Sequence, residues 1–288
     1  MWLKVTLQPT RQGTPGQEQP STLKMYMGVR IVLVEPAGPL NVGSVARVIK
    51  NMGLSQLVLV NPQCDHLSQE AQQMAVHGVD ILEKAQVVAT IPDGLVGCQR
   101  AIATTARSRA IPTTLEHPRT ALPWLLSAGV TSALIFGPES RGLSNDELNH
   151  AQRFVRIPTS STYPVLNLAQ AVTVCCYELY QYQLYQSTQQ PSPVPSQPLS
   201  PAPPYQDSAL LDQIERYSKH LEALLLNIGY LYPHTKAARM EKLRRLLNRA
   251  TPTTEEINML RGMLRQVEWA LQFLPKSGVD DPSKPNQS

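Results

Sequence analysis

The sequence predicts an α/β protein built on a mostly parallel sheet, followed by a small C-terminal helical module. Three observations carry that expectation. Short apolar runs rich in β-branched residues read as strands buried on both faces; helix-length intervals separate them; and a Pro/Ser/Gln-rich stretch at residues 186–204 divides this pattern from a purely helical one.

Residues 1–27 mix Gln, Pro, Thr and Gly without period and read as a disordered leader. Val29-Arg-Ile-Val-Leu-Val34 is the first strand. Glu35-Pro-Ala-Gly38-Pro39 breaks it, and Asn41 reads as the N-cap of a helix. Val42, Val45, Ala46, Ile49 and Met52 recur at helical spacing until Gly53 supplies a stop, and Arg47 falls off that apolar stripe. Gln56-Leu-Val-Leu-Val60 completes a strand, helix, strand unit, whose turn lies where parallel sheets bind ligands. Arg47 reads as a reactive-site residue at this turn or as a surface arginine on a crossover helix. Further strands are expected at 86–89, 99–103, 132–136 and 153–157, and an apolar helix at 166–185 closes an α/β domain spanning 28–185.

Residues 186–204 have the composition of an extended linker, with a helical module at 205–272 and a disordered tail at 273–288. Leu210, Leu211, Ile214, Tyr217, Leu221, Leu224 and Leu225 make one apolar helix face, and Ile257, Leu260, Leu264 and Val267 another. Thr253 and Glu256 form a capping box for the second. Between them Lys236, Arg239, Lys242, Arg244, Arg245 and Arg249 stand against the single acid Glu241, as either a solvated helix face or a grip for a polyanion. The module is expected to form its own core, separated by the linker.

Composition narrows the function. A chain of 288 residues that is 42% hydrophobic can bury one substantial core plus a smaller module, and a net charge of +4 with pI ≈ 8.9 permits a polyanionic partner without demanding one. Cys64, Cys98, Cys175 and Cys176 have no metal-ligand spacing and read as small apolar residues in a reducing compartment, so no metal is expected. No apolar run approaches a membrane span, and the N-terminus lacks the apolar core of a secretory signal; a cytoplasmic protein is expected. Gly38 and Gly43 have Walker A spacing, but Ser44 stands in place of the phosphate-binding lysine and Val45 in place of the magnesium hydroxyl; no Gly-x-Gly-x-x-Gly follows a strand. Nucleoside triphosphatases and nicotinamide dehydrogenases are therefore poorly supported.

Three strand ends carry loops rich in glycine or hydroxyls: Thr104-Thr-Ala-Arg107-Ser-Arg109, Gly137-Pro-Glu139-Ser-Arg-Gly142-Leu and Ile157-Pro-Thr-Ser-Ser-Thr-Tyr163-Pro-Val165-Leu166-Asn167. Such residues free backbone groups for close approach to a ligand and add short donors and acceptors, although each loop alone is compatible with an ordinary turn. Ser144 with Glu147 resembles a helix capping box and needs no functional reading.

Side by side, Asn41-Val-Gly-Ser-Val-Ala-Arg47, Gly137-Pro-Glu139-Ser-Arg-Gly142-Leu and Leu166-Asn167-Leu-Ala resemble the three motifs of the SPOUT superfamily of RNA methyltransferases, within it the ribose 2′-O-methyltransferases. Thr105-Ala-Arg-Ser-Arg109, Lys242-Leu-Arg-Arg-Leu-Leu and Asn258-Met-Leu-Arg-Gly262 narrow the resemblance to the TrmJ type, which methylates tRNA at anticodon-loop position 32. It covers nearly everything except the leader, the linker and the last residues. The resemblance implies a trefoil knot near the C-terminal end of the α/β domain, S-adenosylmethionine as methyl donor, tRNA as partner and a site completed across a homodimer, with no membrane or DNA partner. It places Thr104, Thr105, Ala106, Gly137, Glu139, Gly142, Ile157, Val165, Leu166 and Asn167 around the donor, with Glu139 bracing loops through backbone hydrogen bonds. It makes Arg47 the catalytic residue, and Asn41, Arg107, Arg109, Tyr163, Lys242, Arg244 and Arg245 the RNA contacts. Val165, preceded by Pro164, stands where the family commonly has serine. Related readings are a SPOUT enzyme acting on rRNA and a non-catalytic RNA-binding SPOUT protein.

Overall fold

The computed structural model describes residues 28–106, 114–188 and 208–273. Its centre is a seven-stranded sheet in the order β3-β2-β1-β6-β4-β7-β5, made of β1 (Val29–Val34), β2 (Gln56–Val60), β3 (Gln86–Val88), β4 (Arg100–Thr104), β5 (Leu115–Glu116), β6 (Ser132–Phe136) and β7 (Arg153–Val155). Every pairing is parallel, with Val32 opposite both Val58 and Ile135, and Ala103 opposite Ile135 and Phe154. The central position of β1 and β6 explains their unbroken apolar sequence, since strands covered on both faces leave no room for polar alternation.

β5 escaped the sequence reading because two residues carry no period. It is held instead by long-range polar contacts: Arg153 forks onto Glu116, with Nε to Oε1 at 2.7 Å, and the Arg156 N–H donates to Glu116 O at 3.0 Å. The strand expected at 153–157 stops at Val155, and Ile157 already belongs to the following loop.

Helix α1 (Pro39–Asn51) corrects one local expectation. Its N-cap is Gly38, with Pro39 in the first turn, where a fixed φ favours the helix and a missing N–H costs nothing; Asn41 lies inside the helix. Gly43, too, lies within α1. It is buried mid-helix, and a Cβ there would meet Ala71 O at 2.1 Å, so glycine lets α2 (Gln69–Ala75) pack closely against α1.

One face of the sheet is covered by α1, α2, α3 (Val79–Glu83), the 3-10 turn Leu122–Leu126 and the long α7 (Leu168–Thr188), through Val42, Ile49, Leu82, Leu122, Val172 and Leu179. On the other face α4 (Ile91–Gly94) and α6 (Asn145–Leu148) are only 4 residues each. Cover there is completed by α8 (Leu211–Asn227), α9 (Lys236–Ala250) and α10 (Thr254–Leu271), whose Leu211, Ile214, Tyr217, Leu224, Leu247, Ile257 and Leu264 join one hydrophobic cluster with Ile91, Leu95, Cys98 and Leu148. The short α5 (Pro118–Ala121) precedes the 3-10 turn.

This overturns the expectation of a module with its own separate core. Hydrogen bonds stitch the two parts: Leu211 N–H donates to Cys98 O at 2.8 Å, Gly97 N–H to Asp212 Oδ1 at 3.3 Å, and Asn248 Nδ2 to Asn149 O at 2.7 Å. The leader at 1–27, linker residues 189–204 and tail residues 274–288 lie outside the described residues; residues 186–188 continue α7.

All four cysteines are free. Burial pushes the Cys98 thiol up to about 11 and the Cys176 thiol up to about 12, as for inert apolar packing residues. No helix among the described residues is long and apolar enough to cross a membrane.

A candidate active site at the carboxyl edge of the sheet

β6, β4 and β7 are neighbours in that order, so the loops leaving their carboxyl ends converge, as expected of ligand sites in parallel sheets. They enclose a cavity of ≈ 280 Å³. Thr104, Thr105 and Ala106 line it from β4, Gly137, Glu139 and Gly142 from β6, and Ile157, Val165 and Leu166 from the loop after β7. Nine of the ten residues expected around a donor thus share one cavity. The tenth, Asn167, lies just beyond it.

The β6 loop is shaped by folding on itself. A Cβ on Gly137 would meet Leu143 N at 2.3 Å and Gly142 C at 2.5 Å, and Gly142 has φ +66°, so only glycine fits either position without strain. Arg141, itself part of the cavity lining, locks the loop: it forks onto Glu147 at 2.7 and 2.8 Å and reaches Glu35 Oε2 at 2.7 Å. Glu35 itself sits at φ 46°, ending β1 with a left-handed residue. Burial pushes the Glu147 carboxyl upward, but hydrogen bonds from Arg141 and Ser144 outweigh it and hold the group below the usual carboxylate range. The expected Ser144 and Glu147 capping box is formed.

A relay of amides joins the cavity to α1. Asn41 Nδ2 donates to Glu139 Oε1 at 2.8 Å, and Asn41 Oδ1 accepts from Asn167 Nδ2 at 3.0 Å. Asn167 Oδ1 in turn accepts the Ala169 N–H at 2.8 Å, while Gln170 Oε1 accepts the Asn167 N–H, so Asn167 caps α7. The carboxylate can only accept, which fixes the orientation of both amides in series. Glu139 also accepts the Ala37 N–H at 3.3 Å. It braces through one backbone and one side-chain bond where backbone bonds alone were expected.

Other expected residues fall elsewhere. Arg47 is exposed on α1 and is not among the residues lining the cavity. Tyr163 is 79% exposed on the β7 loop, outside the cavity wall. Arg107 and Arg109 lie outside the described residues. On α9, Lys242 is exposed, but Arg244 pairs with Glu215 at 2.9 Å, and Arg245 bonds Glu241 and Asn149 Oδ1. These two arginines have partners within the protein, whereas Lys242 stands exposed on the basic edge that the helix composition suggested.

The sequence reading missed Arg141, Thr159, Leu168 and Ala171 as cavity-lining residues. Thr159 has a local signal, since its hydroxyl closes the β7 loop by donating to Pro164 O at 3.0 Å. Arg141 has a near partner in Glu147 and a distant one in Glu35.

Residues 28–177, which carry the all-parallel sheet, the self-folded glycine loop and the cavity at the carboxyl edge, match the SpoU rRNA Methylase family of methyltransferases, to which this chain belongs. Residues 212–276 match a second family, described as tRNA methyltransferase TrmJ, C-terminal domain. The chain is 40% identical over 246 residues to the protein named tRNA (cytidine/uridine-2′-O-)-methyltransferase TrmJ of Cronobacter sakazakii, covering 85% of this chain and 97% of that one. The protein of the same name from Yersinia pestis is 38% identical over 266 residues, covering 89% and 97%. Among solved structures, TrmJ from Z. mobilis superposes with a TM-score of 0.70 at 29% identity, over 83% of this chain and 98% of that one.

Proposed function

We propose that this protein is an S-adenosylmethionine-dependent tRNA (cytidine/uridine-2′-O-)-methyltransferase that modifies the ribose at anticodon-loop position 32. The observation that carries this reading is likeness along both parts of the chain: the α/β part to the SpoU family and the C-terminal helices to the TrmJ C-terminal family, in relatives matched over 97% of their length. A C-terminal likeness of that kind favours a tRNA substrate over the rRNA alternative.

The cavity suits the donor. Its walls combine apolar side chains from Phe136, Val155, Leu168 and Ala171 with glycine-loop backbone and the hydroxyls of Thr104, Thr105 and Thr159, a mixed lining suited to a nucleoside with a short zwitterionic tail. The bound donor would supply an activated methyl group. Thr104 to Ala106, Gly137, Gly142, Ile157, Val165 and Leu166 would hold it, with Glu139 and Asn167 keeping the walls in register through Asn41.

A ribose hydroxyl is a weak nucleophile, so the protein must chiefly align it and ease proton loss. Arginine stays protonated, so Arg47 acts as a cation that clamps the neighbouring phosphate and stabilises the developing alkoxide. Because Arg47 does not line the cavity of its own chain, the reading includes a homodimer in which a second copy brings it there. Exposed Leu40 on α1 and Tyr177 on α7, at 51% and 46%, offer apolar surface for such a contact. The same reading includes a trefoil knot. It rests on the likeness of residues 28–177 to the SpoU family.

The test is transfer of labelled methyl groups to a tRNA transcript, with the product located by nuclease digestion and mass spectrometry. A 2′-O-methylpyrimidine at position 32 is expected, and a deoxyribose there should abolish it. The protein should sediment at twice 31.9 kDa. Arg47→Ala should lower turnover about 100-fold or more with donor affinity unchanged. Label confined to rRNA, or no label at all, would overturn the assignment.

A further inference from the structure

The connection between α8 and α9 holds aromatic rings out in water. Gly229 turns the chain at φ +72°, and Leu231 then plugs it into the core at 2% exposure, its N–H donating to Leu225 O at 2.9 Å. The residues flanking this plug face outward: Tyr230 is 57% exposed, Tyr232 53%, and His234 is exposed beside them. The start of α9 fixes the segment, because the Thr235 and Lys236 N–H groups both donate to Tyr232 O at 2.9 Å.

Two of the rings are aligned as well as exposed. Tyr232 and His234 stack with centroids 5.9 Å apart and planes 20° from parallel. Arg239 lies 5.3 Å over the Tyr230 ring while donating to Tyr230 O at 2.6 Å, so its guanidinium is held beside the aromatic surface. Packing into the core explains Leu231, whereas the three rings contact one another and Arg239 but stay outside the core. Cations stand beside them: α9 carries no acid in its first turn, and although Lys236 there is paired with Glu222 of α8 at 3.1 Å, exposed Lys242 follows Arg239 by three residues, on the same side of the helix.

From this arrangement we infer that Tyr230, Tyr232 and His234 form a platform on which unpaired RNA bases stack, with Arg239 and Lys242 meeting the adjoining phosphates. Exposed rings tolerate any base, because every base offers a π-face, and a duplex offers none until it frays. The inference deepens the tRNA reading and rests on it for the identity of the RNA: an anticodon loop presents unpaired bases next to a paired stem. The rings recognise the former.

The test uses the full chain and fluorescence anisotropy with three probes: tRNA, a short unstructured oligoribonucleotide and a duplex RNA of the same composition. The wild type should prefer the unpaired oligoribonucleotide to the duplex. Tyr230→Ala with Tyr232→Ala should weaken binding of tRNA and of the unpaired probe by roughly tenfold or more, while Tyr230→Phe with Tyr232→Phe keeps it within about twofold. The salt dependence should stay unchanged in the tyrosine variants and lose about one unit of slope in Arg239→Ala. Donor affinity should not move in any of them. Wild-type binding by the alanine pair, or equal loss in the phenylalanine pair, overturns the platform even if methyl transfer to tRNA is intact. Tyrosine-dependent binding of unpaired RNA by an enzyme that fails to methylate tRNA would instead keep the platform and remove the tRNA assignment.

Discussion

The two faces of the sheet are closed by different stretches of chain. One is covered from within residues 28–188 by α1 and α7, of 13 and 21 residues, together with α2 and α3. The other has only the 4-residue α4 and α6 from that region, and borrows α8, α9 and α10 from beyond residue 207. A parallel sheet must be covered on both faces, so the chain that looks like an appended RNA module is also structural cover for the half that holds the candidate active site.

The largest expected effect is the one that removes this borrowed cover. A protein ending at Gln186 would expose Ile91, Leu95, Cys98 and Leu148, now buried in one cluster with the C-terminal helices. Loss of that cluster should consume much of the roughly 5–15 kcal/mol by which domains of this kind are stable. The truncated chain should be poorly soluble or melt far below the full chain by circular dichroism. If it stays monodisperse and melts as the full chain does, the two faces are independent and the comparison fails.

The difference between the faces also separates what the sequence made legible from what it hid. β1, α1 and β2 were readable because a dense apolar period of one kind gives way to another at Glu35 to Pro39 and again at Gly53. The cavity loops were readable because glycine and hydroxyl chemistry is local. The relay from Glu139 through Asn41 to Asn167 spans residues up to 126 apart, and no window along the chain reports it. The intramolecular pairing of Arg244 was hidden for the same reason. A count of charges along α9 shows six cations and one acid, yet Glu215, which neutralises Arg244, stands on α8, 29 residues earlier.

An intermediate effect comes from single side chains at the seam. Ile214 is 6% exposed within the shared cluster, and Ile214→Ala should cost about 2–4 kcal/mol, similar to Ile49→Ala on the opposite face. Urea titrations followed by far-ultraviolet circular dichroism and by tryptophan fluorescence should give one coincident transition in both variants. An early transition confined to one probe in the Ile214 variant would mean that the C-terminal helices unfold alone, and the sheet would then have one independent face and one optional one.

The smallest effect is a pH dependence built into the seam. His150 follows α6 and sits partly buried beside α8 and α9, in a crevice with Glu215, Ser218, Arg244 and Asn248. Burial depresses its pKa below the ordinary value and the Arg244 charge adds to this, against the weaker opposing pull of Glu215, Asp146 and Glu147. The folded protein therefore holds His150 neutral where the unfolded chain would already take up a proton. The stability tied to this group is complete above the unfolded value of about 6.5 and falls as the pH drops toward the folded value. Acidification from about pH 7.5 to 5.5 should lower the melting temperature, and His150→Gln should flatten part of that slope. Ile49→Ala, distant from the seam, should leave the slope as in the wild type. An unchanged slope in His150→Gln would assign the acid sensitivity to groups outside the seam, and the two faces would then respond to pH alike.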